Sequence, residues 1–262
     1  MIGRVTGGYS AMNIRMLVAA VAMFGLTTSA QADGAWRAQL SGYAWAPSVS
    51  GHVKPLSGGP ITPTFNVDKS FGDLLKDLDG ALFLHGTLRR DRFVLFGDLT
   101  WTKLSADHHA VVLGYGVPAG ATISQMSATA LAGYAIYQQP NVNFDLLGGA
   151  RIWHIKTSAH ATLPVFGYVD QSVTQTWTDP VIGARLRVNL NNDWSVILYG
   201  DGGGFGVGSK STWQVVGTVN YRVTDSLFLS AGYRHMAFDY RQDGKVLDIK
   251  MSGPLFGATW RF

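Results

Sequence analysis

The sequence predicts an all-β protein, a transmembrane antiparallel up-and-down β-barrel of about ten strands, with eight or twelve as the neighbouring counts. Three observations predict it. Apolar and polar residues alternate with a period of two through the chain after residue 33. The polar face of that alternation carries long charged side chains in mid-strand, unlike a soluble sandwich with its apolar face turned inward. The connections alternate between short turns and long loops, as a membrane barrel requires.

Composition narrows the function classes. The 262 residues include 32 Gly, 8 Trp and no Cys, and only 15% are charged. Without Cys there are no disulfides, no thiolate catalysis and no zinc-thiolate site. All 17 acids are Asp, so a mechanism that needs Glu is excluded. The net charge of +4 is small, and the longest basic cluster is Arg89-Arg90-Asp91-Arg92, which makes no case for nucleic acid.

Residues 1–32 read as a cleaved signal peptide. Arg4 and Arg15 precede an apolar run of 11 residues, Met16 to Leu26, and Ala30-Gln31-Ala32 gives a small-x-small cleavage site. That run is too short to span a membrane, which takes about 20 apolar residues. Met1, Met12 and Met16 are all possible starts. Residues 33–262 form a single barrel domain, and no Cys follows the cleavage point to make a lipoprotein.

The strands are expected near 36–46, 80–90, 92–104, 122–138, 142–155, 178–190, 194–206, 210–222, 226–240 and 247–262. In the third, Phe93, Leu95, Leu99 and Trp101 oppose Asp98, Thr100 and Thr102. In the fourth, Ala and Gly occupy both faces and leave the phase open. In the sixth, Ile182, Ala184, Leu186 and Val188 oppose Gly183, Arg185, Arg187 and Asn189. In the eighth, Trp213, Val215, Val219 and Tyr221 oppose Gln214, Thr218, Asn220 and Arg222. In the last, Phe256, Trp260 and Phe262 oppose Thr259 and Arg261. Trp36, Trp45, Trp101, Trp194, Trp213, Tyr221, Trp260 and Phe262 sit near strand ends, where interfacial girdles belong.

Short turns are expected at Arg90-Asp91, Gln139-Pro140-Asn141, Asn191-Asn192-Asp193 and Thr224-Asp225, and long loops at 47–79, 105–121, 156–177 and 241–246. Within the first loop, His52-Val53-Lys54 and Phe65-Asn66-Val67 could form an extra hairpin, giving twelve strands. Phe71 to Leu78 has the spacing of a short helix. Gly202-Gly203-Gly204 lacks the Lys-Ser/Thr of a phosphate loop and marks curvature, a bulge or close approach.

With its Ala-x-Ala leader, alternating strands and terminal Trp260-Arg261-Phe262, the chain resembles the small outer-membrane β-barrel proteins of Gram-negative bacteria. Gly200-Asp201-Gly202-Gly203-Gly204-Phe205-Gly206 and Gly232-Tyr233-Arg234 resemble the broad outer membrane protein beta-barrel domain group. The resemblance covers 33–262. It implies a bacterial outer-membrane location, with outer-membrane lipid and lipopolysaccharide as surroundings, and the even strand count puts both termini on the periplasmic side, beside the short turns. It also implies that Phe256, Trp260 and Phe262 are read by the outer-membrane assembly machinery. The group shares no single activity, and oligomeric state is left open.

Polar side chains then turn inward. The expected lumen residues are His85, Asp98, Asp145, Arg151, Arg185, Arg187, Tyr199, Asp201, Gln214, Arg222 and Arg234. Buried ions must pair, so Asp98, Asp145 and Asp201 are expected to partner Arg151, Arg185 and Arg234. Such a set makes either a charged constriction in a narrow solute pore or a salt-bridged plug. Ten strands leave little room, which favours the plug.

No enzyme, cofactor or metal is expected. Asp77-x-Asp79 and Asp107-x-His109 have the residue types of an omptin-like protease, and Ser230, His235 and Asp239 those of a lipid-modifying hydrolase. Neither has a wider motif, and solvated loop carboxylates and rim histidines account for them. Metal binding by His52, His108, His109 and His160 would need converging loops. The expected function is a non-enzymatic narrow pore or closed structural barrel, with surface binding through loops 47–79, 105–121 and 156–177 as the alternative.

Overall fold

The computed structural model describes residues 36–54, 65–112, 115–163, 167–242 and 244–262. The expected signal peptide, 1–32, with Ala30 and Ala32, lies outside the described residues. Among the described residues twelve strands are present. They are β1 (Arg37–Trp45), β2 (Ser48–Lys54), β3 (Phe65–Lys69), β4 (Leu78–Arg90), β5 (Phe93–Val112) and β6 (Tyr115–Gln138). Then come β7 (Val142–Leu163), β8 (Gly167–Asn189), β9 (Trp194–Gly203), β10 (Ser211–Arg222), β11 (Leu227–Gln242) and β12 (Lys245–Arg261).

Ten of them close a barrel in the order β1-β4-β5-β6-β7-β8-β9-β10-β11-β12, with β12 antiparallel to β1 from Gln39↔Arg261 to Trp45↔Leu255. Closure gives each of the ten strands two neighbours across the belt, which a sheet in hydrocarbon requires. The last residue completes the seam: the Phe262 N–H donates to Ala38 O at 2.9 Å. The remaining two strands form a hairpin outside the closed ring, where β2 pairs with the far end of β12 and β3 pairs with β2.

The burial pattern is inside-out. Leu88, Leu146, Ile182, Leu198, Val215, Leu229 and Phe256 are exposed on the outer face, while Asp145, Arg151, Gln214 and Arg234 are buried. On β10, Trp213 and Val215 are exposed while Thr212 and Gln214 are buried. The outer apolar belt runs from Phe144 to Ile152 on β7 and from Leu82 to Leu88 on β4. These spans of nine and seven residues fall at and just below the roughly 9–11 residues per strand that cross a membrane. Trp36, Trp194, Trp213, Tyr221, Trp260 and Phe262 stand exposed at its borders. Trp45 does not. It is 7% exposed and points inward, because the period of two along β1 puts it on the face of Ser41 and Tyr43.

Most residues expected as long loops are strand. β5 to β8 are 20, 24, 22 and 23 residues long, so 105–121 and 156–177 are mainly the ends of two tall hairpins. From Ile152 to Leu163, β7 continues about 36 Å past the belt at roughly 3.3 Å per residue. Of 241–246, expected as a long loop, Arg241 and Gln242 belong to β11 and Lys245 and Val246 to β12, paired as Arg241↔Val246 and Gln242↔Lys245. The first loop, 47–79, holds β2, β3 and a short helix, α1 (Phe71–Lys76), capped by Ser70, whose Oγ accepts from Asp73 N–H at 3.2 Å. In β6, whose Ala and Gly residues leave the phase open in sequence, a bulge between Ala135 and Tyr137 leaves Ile136 and Tyr137 both exposed.

In contrast to these tall strands, β9 and β10 have only 10 and 12 residues and leave a notch in the wall. Gly204 and Gly206, at φ +87° and +78°, turn the connection. It is tied to both neighbours: Ser209 N–H donates to Asp179 at 2.6 Å on β8, and Lys210 N–H donates to Asp239 O at 2.8 Å on β11.

Candidate functional site: the barrel interior

Four levels of side chains fill the interior, rising from the end that carries the short turns and the termini. The first is basic. Asp145 accepts both oxygens' worth of hydrogen bonds from Arg89 at 2.7 Å and also bonds Arg185 at 2.9 Å. Arg185 donates onward to Thr87 at 2.9 Å. Arg187 reaches only Asn189 Oδ1, at 3.3 Å, and Arg261 stacks on Phe228 at 3.6 Å. Arg222, nearer the mouth, bonds Asp193 at 3.1 Å and lies 3.6 Å from Asp225.

The second level joins three strands. Arg234 on β11 bonds Asp98 on β5 at 2.9 Å, and Tyr43 on β1 donates to Asp98 at 2.9 Å and contacts Arg234. The Arg234 guanidinium also sits 5.0 Å from the Trp45 ring. The third is drier. Arg151 and Asp201 are both 0% exposed at the side chain and meet at 2.6 Å. Arg151 donates also to Thr129 and Thr212, at 2.9 and 3.1 Å. Asp201 further accepts from Tyr199 and Gln214.

The fourth level is aromatic. Trp153 and Trp177 stack at 5.8 Å, Trp153 meets Phe238 at 4.4 Å and Trp177 meets Tyr240 at 4.2 Å. β8 and β11 face one another here because β9 and β10 have already ended. Trp177 Nε1 donates to Asp179 at 3.1 Å, which satisfies a fully buried carboxylate.

Beneath the second level lies a chamber of about 1510 Å³, open at the turn end and lined by Arg89, Asp145, Arg185, Arg187 and Arg261. Asp98, Tyr199, Gln214 and Arg234 line its inner end, whereas Arg151 and Asp201 do not reach it.

All the lumen residues expected from sequence are on the inward face. The ion pairs are Arg151–Asp201, Arg185–Asp145 and Arg234–Asp98. Sequence reasoning missed Arg89, Tyr43, Thr87, Thr129, Thr212 and Asp179. For Arg89 the signal was present: Leu84, Gly86 and Leu88 alternate with His85, Thr87 and Arg89. Phe256, Trp260 and Phe262 are exposed on the outer face.

Ser230, His235 and Asp239 do not come together. Ser230 faces inward while His235 faces outward against Trp213 and Ser252. Asp239 is engaged by Arg241 at 2.8 Å. Asp79 accepts from Ser105 at 2.7 Å and pairs with Lys103 at 3.1 Å, and these two hold its carboxyl below the usual range. The side chains of Asp107, His108 and His109 lie outside the described ones. Among the described residues no group of three His or Asp could hold a metal.

No protein-family model and no curated protein matches this sequence. Solved structures similar to it include the outer membrane protease OmpT from Escherichia coli, 10% identical, with a TM-score of 0.49 over 90% of this chain and 99% of that one. The translocator domain of the autotransporter NalP from Neisseria meningitidis is 11% identical, with a TM-score of 0.49 over 87% and 89%. Ail, the attachment invasion locus protein of Yersinia pestis, is 13% identical, with a TM-score of 0.35 over 87% and 98%. These likenesses concern fold alone. Closed strands, an apolar exterior and a charged interior make the fold that of an outer-membrane β-barrel.

Proposed function

We propose that this chain is a non-enzymatic integral protein of a bacterial outer membrane whose barrel is closed to solutes. The turn end then faces the periplasm, and the function lies in the projecting hairpins. One observation carries this reading: the Arg151–Asp201 level and the Trp153/Trp177/Phe238/Tyr240 cluster are buried to within a few percent across the interior. A narrow barrel filled by its own side chains transmits no solute.

The hairpins suit surface contact, because strands held in register project past the belt with polar residues such as Thr174, Gln171 and Ser172. Lys156 and Lys250 stand exposed on the outer face beyond the belt, where lipopolysaccharide phosphates would lie. Phe256, Trp260 and Phe262, on the final strand, suit recognition by the assembly machinery.

Planar-bilayer recording of the assembled protein tests the closed reading. A folded, silent barrel is expected, and reproducible conductance steps would overturn it. Removing 158–172, the part of the hairpin beyond the Trp177 level, should abolish surface binding while the shortened barrel still inserts. Unchanged binding would move the function off that hairpin.

A further inference from the structure

The basic level of the chamber carries more positive charge than the protein neutralises. Arg89, Arg185, Arg187 and Arg261 share it with a single carboxylate, Asp145, which is already bonded to Arg89 and Arg185. Among the described residues, neither Arg187 nor Arg261 has a carboxylate partner. Arg187 has one long bond to an amide oxygen, and its charge stands in the field of Arg89, Arg185 and Arg261. Arg89 Nη1 and Arg261 Nε are buried and make no hydrogen bond. Like charges gathered inside a low-dielectric wall repel and focus a positive potential into the cavity. The contrast with the other levels is sharp, since Asp98 and Asp201 match Arg234 and Arg151 one for one.

We propose that this chamber binds a phosphate-type oxyanion that enters from the turn end. Guanidinium forks present paired N–H groups that match the oxygens of a tetrahedral or planar oxyanion, and a spherical halide cannot use them as well. Arg187 and Arg261 supply the free forks. Phe228 holds Arg261 in place, and Arg89 adds its charge to the field at this level. The chamber's volume admits an inorganic phosphate or a small phosphomonoester. The proposal stands whether or not the barrel conducts, because the chamber opens below both closing levels.

The test is calorimetric titration of the assembled protein in non-ionic detergent with inorganic phosphate, at constant ionic strength set by chloride. A parallel titration with glycerol 3-phosphate distinguishes the free ion from a phosphomonoester. Saturable binding of either, one anion per barrel, is expected. Arg187→Gln and Arg261→Gln should each weaken it by about tenfold, the size of one charge-assisted hydrogen bond. Arg222→Gln should leave it within about twofold, because Asp193 and Asp225 already match Arg222. Should Arg187→Gln fail to assemble, Arg261→Gln, on a different strand, carries the same expectation. Binding of neither anion would overturn the proposal. So would equal losses in all three variants, which would mean a diffuse field instead of a site.

Discussion

Replacing Asp201 by Ala tests the reasoning about the dry third level. Its carboxylate lies 2.6 Å from Arg151 Nη2 and 2.6 Å from Gln214 Nε2, and neither member of the ion pair reaches solvent. At an effective dielectric near 20, the gross attraction at that distance is about 6 kcal/mol. Burying the two ions costs several kcal/mol each, so the intact pair contributes little net stability. Removing one partner is different: it strands the Arg151 charge at a cost of about 3–5 kcal/mol. Thr129 and Thr212 still accept from Arg151, which puts the expected loss near the lower end, about 3 kcal/mol. Equilibrium urea unfolding in phospholipid vesicles would measure it, followed by Trp fluorescence and heat-modifiable gel migration. The double variant Arg151→Met/Asp201→Ala removes both charges and should recover most of the loss, with a coupling of at least about 2 kcal/mol in the cycle completed by Arg151→Met. A loss under about 1 kcal/mol for Asp201→Ala, or a double variant no better than the single, would refute the buried-pair account.

Three other perturbations follow from the same structure. Trp177→Ala removes a 6%-exposed indole from the aromatic level and a donor from Asp179, and should destabilise the barrel by about 3–5 kcal/mol in the same unfolding assay. Gly203→Ala would put a Cβ 2.2 Å from Pro180 O and 2.8 Å from Val181 Cγ2, so β8 and β9 must separate. A loss of about 1–3 kcal/mol is expected there, and an unshifted midpoint would count against so close an approach. Deleting Phe262 removes the backbone bonds to Ala38 at the closing seam and an exposed aromatic of the outer border. Less heat-modifiable barrel should reach the membrane, and normal yield would exclude a role in assembly.

The barrel was legible because its pattern is local. A period of two with apolar residues outward reads directly along one strand, as β10 shows from Trp213 to Tyr221. The same pattern identified Asp98, Asp145, Arg151, Arg185, Asp201, Gln214 and Arg234 as inward-facing. Trp45 was misread because a Trp near a strand end fits an interfacial girdle equally well, and only its phase with Ser41 and Tyr43 along β1 distinguishes the two. The hairpins of 105–121 and 156–177 were misread because, past the membrane, neither face meets hydrocarbon and the alternation fades.

The sequence by itself determined the class of fold, the inside-out burial, the period-two faces and the exclusion of thiol and glutamate chemistry. Those follow from composition and from neighbours within a single strand. Only the tertiary structure decided which charges pair, that Asp179 ties the short β9–β10 connection, and that four arginines share one carboxylate. These depend on barrel register and shear, which bring residues from β4, β7, β8 and β12 to one level. They arise from closure of the sheet, and no single strand encodes them.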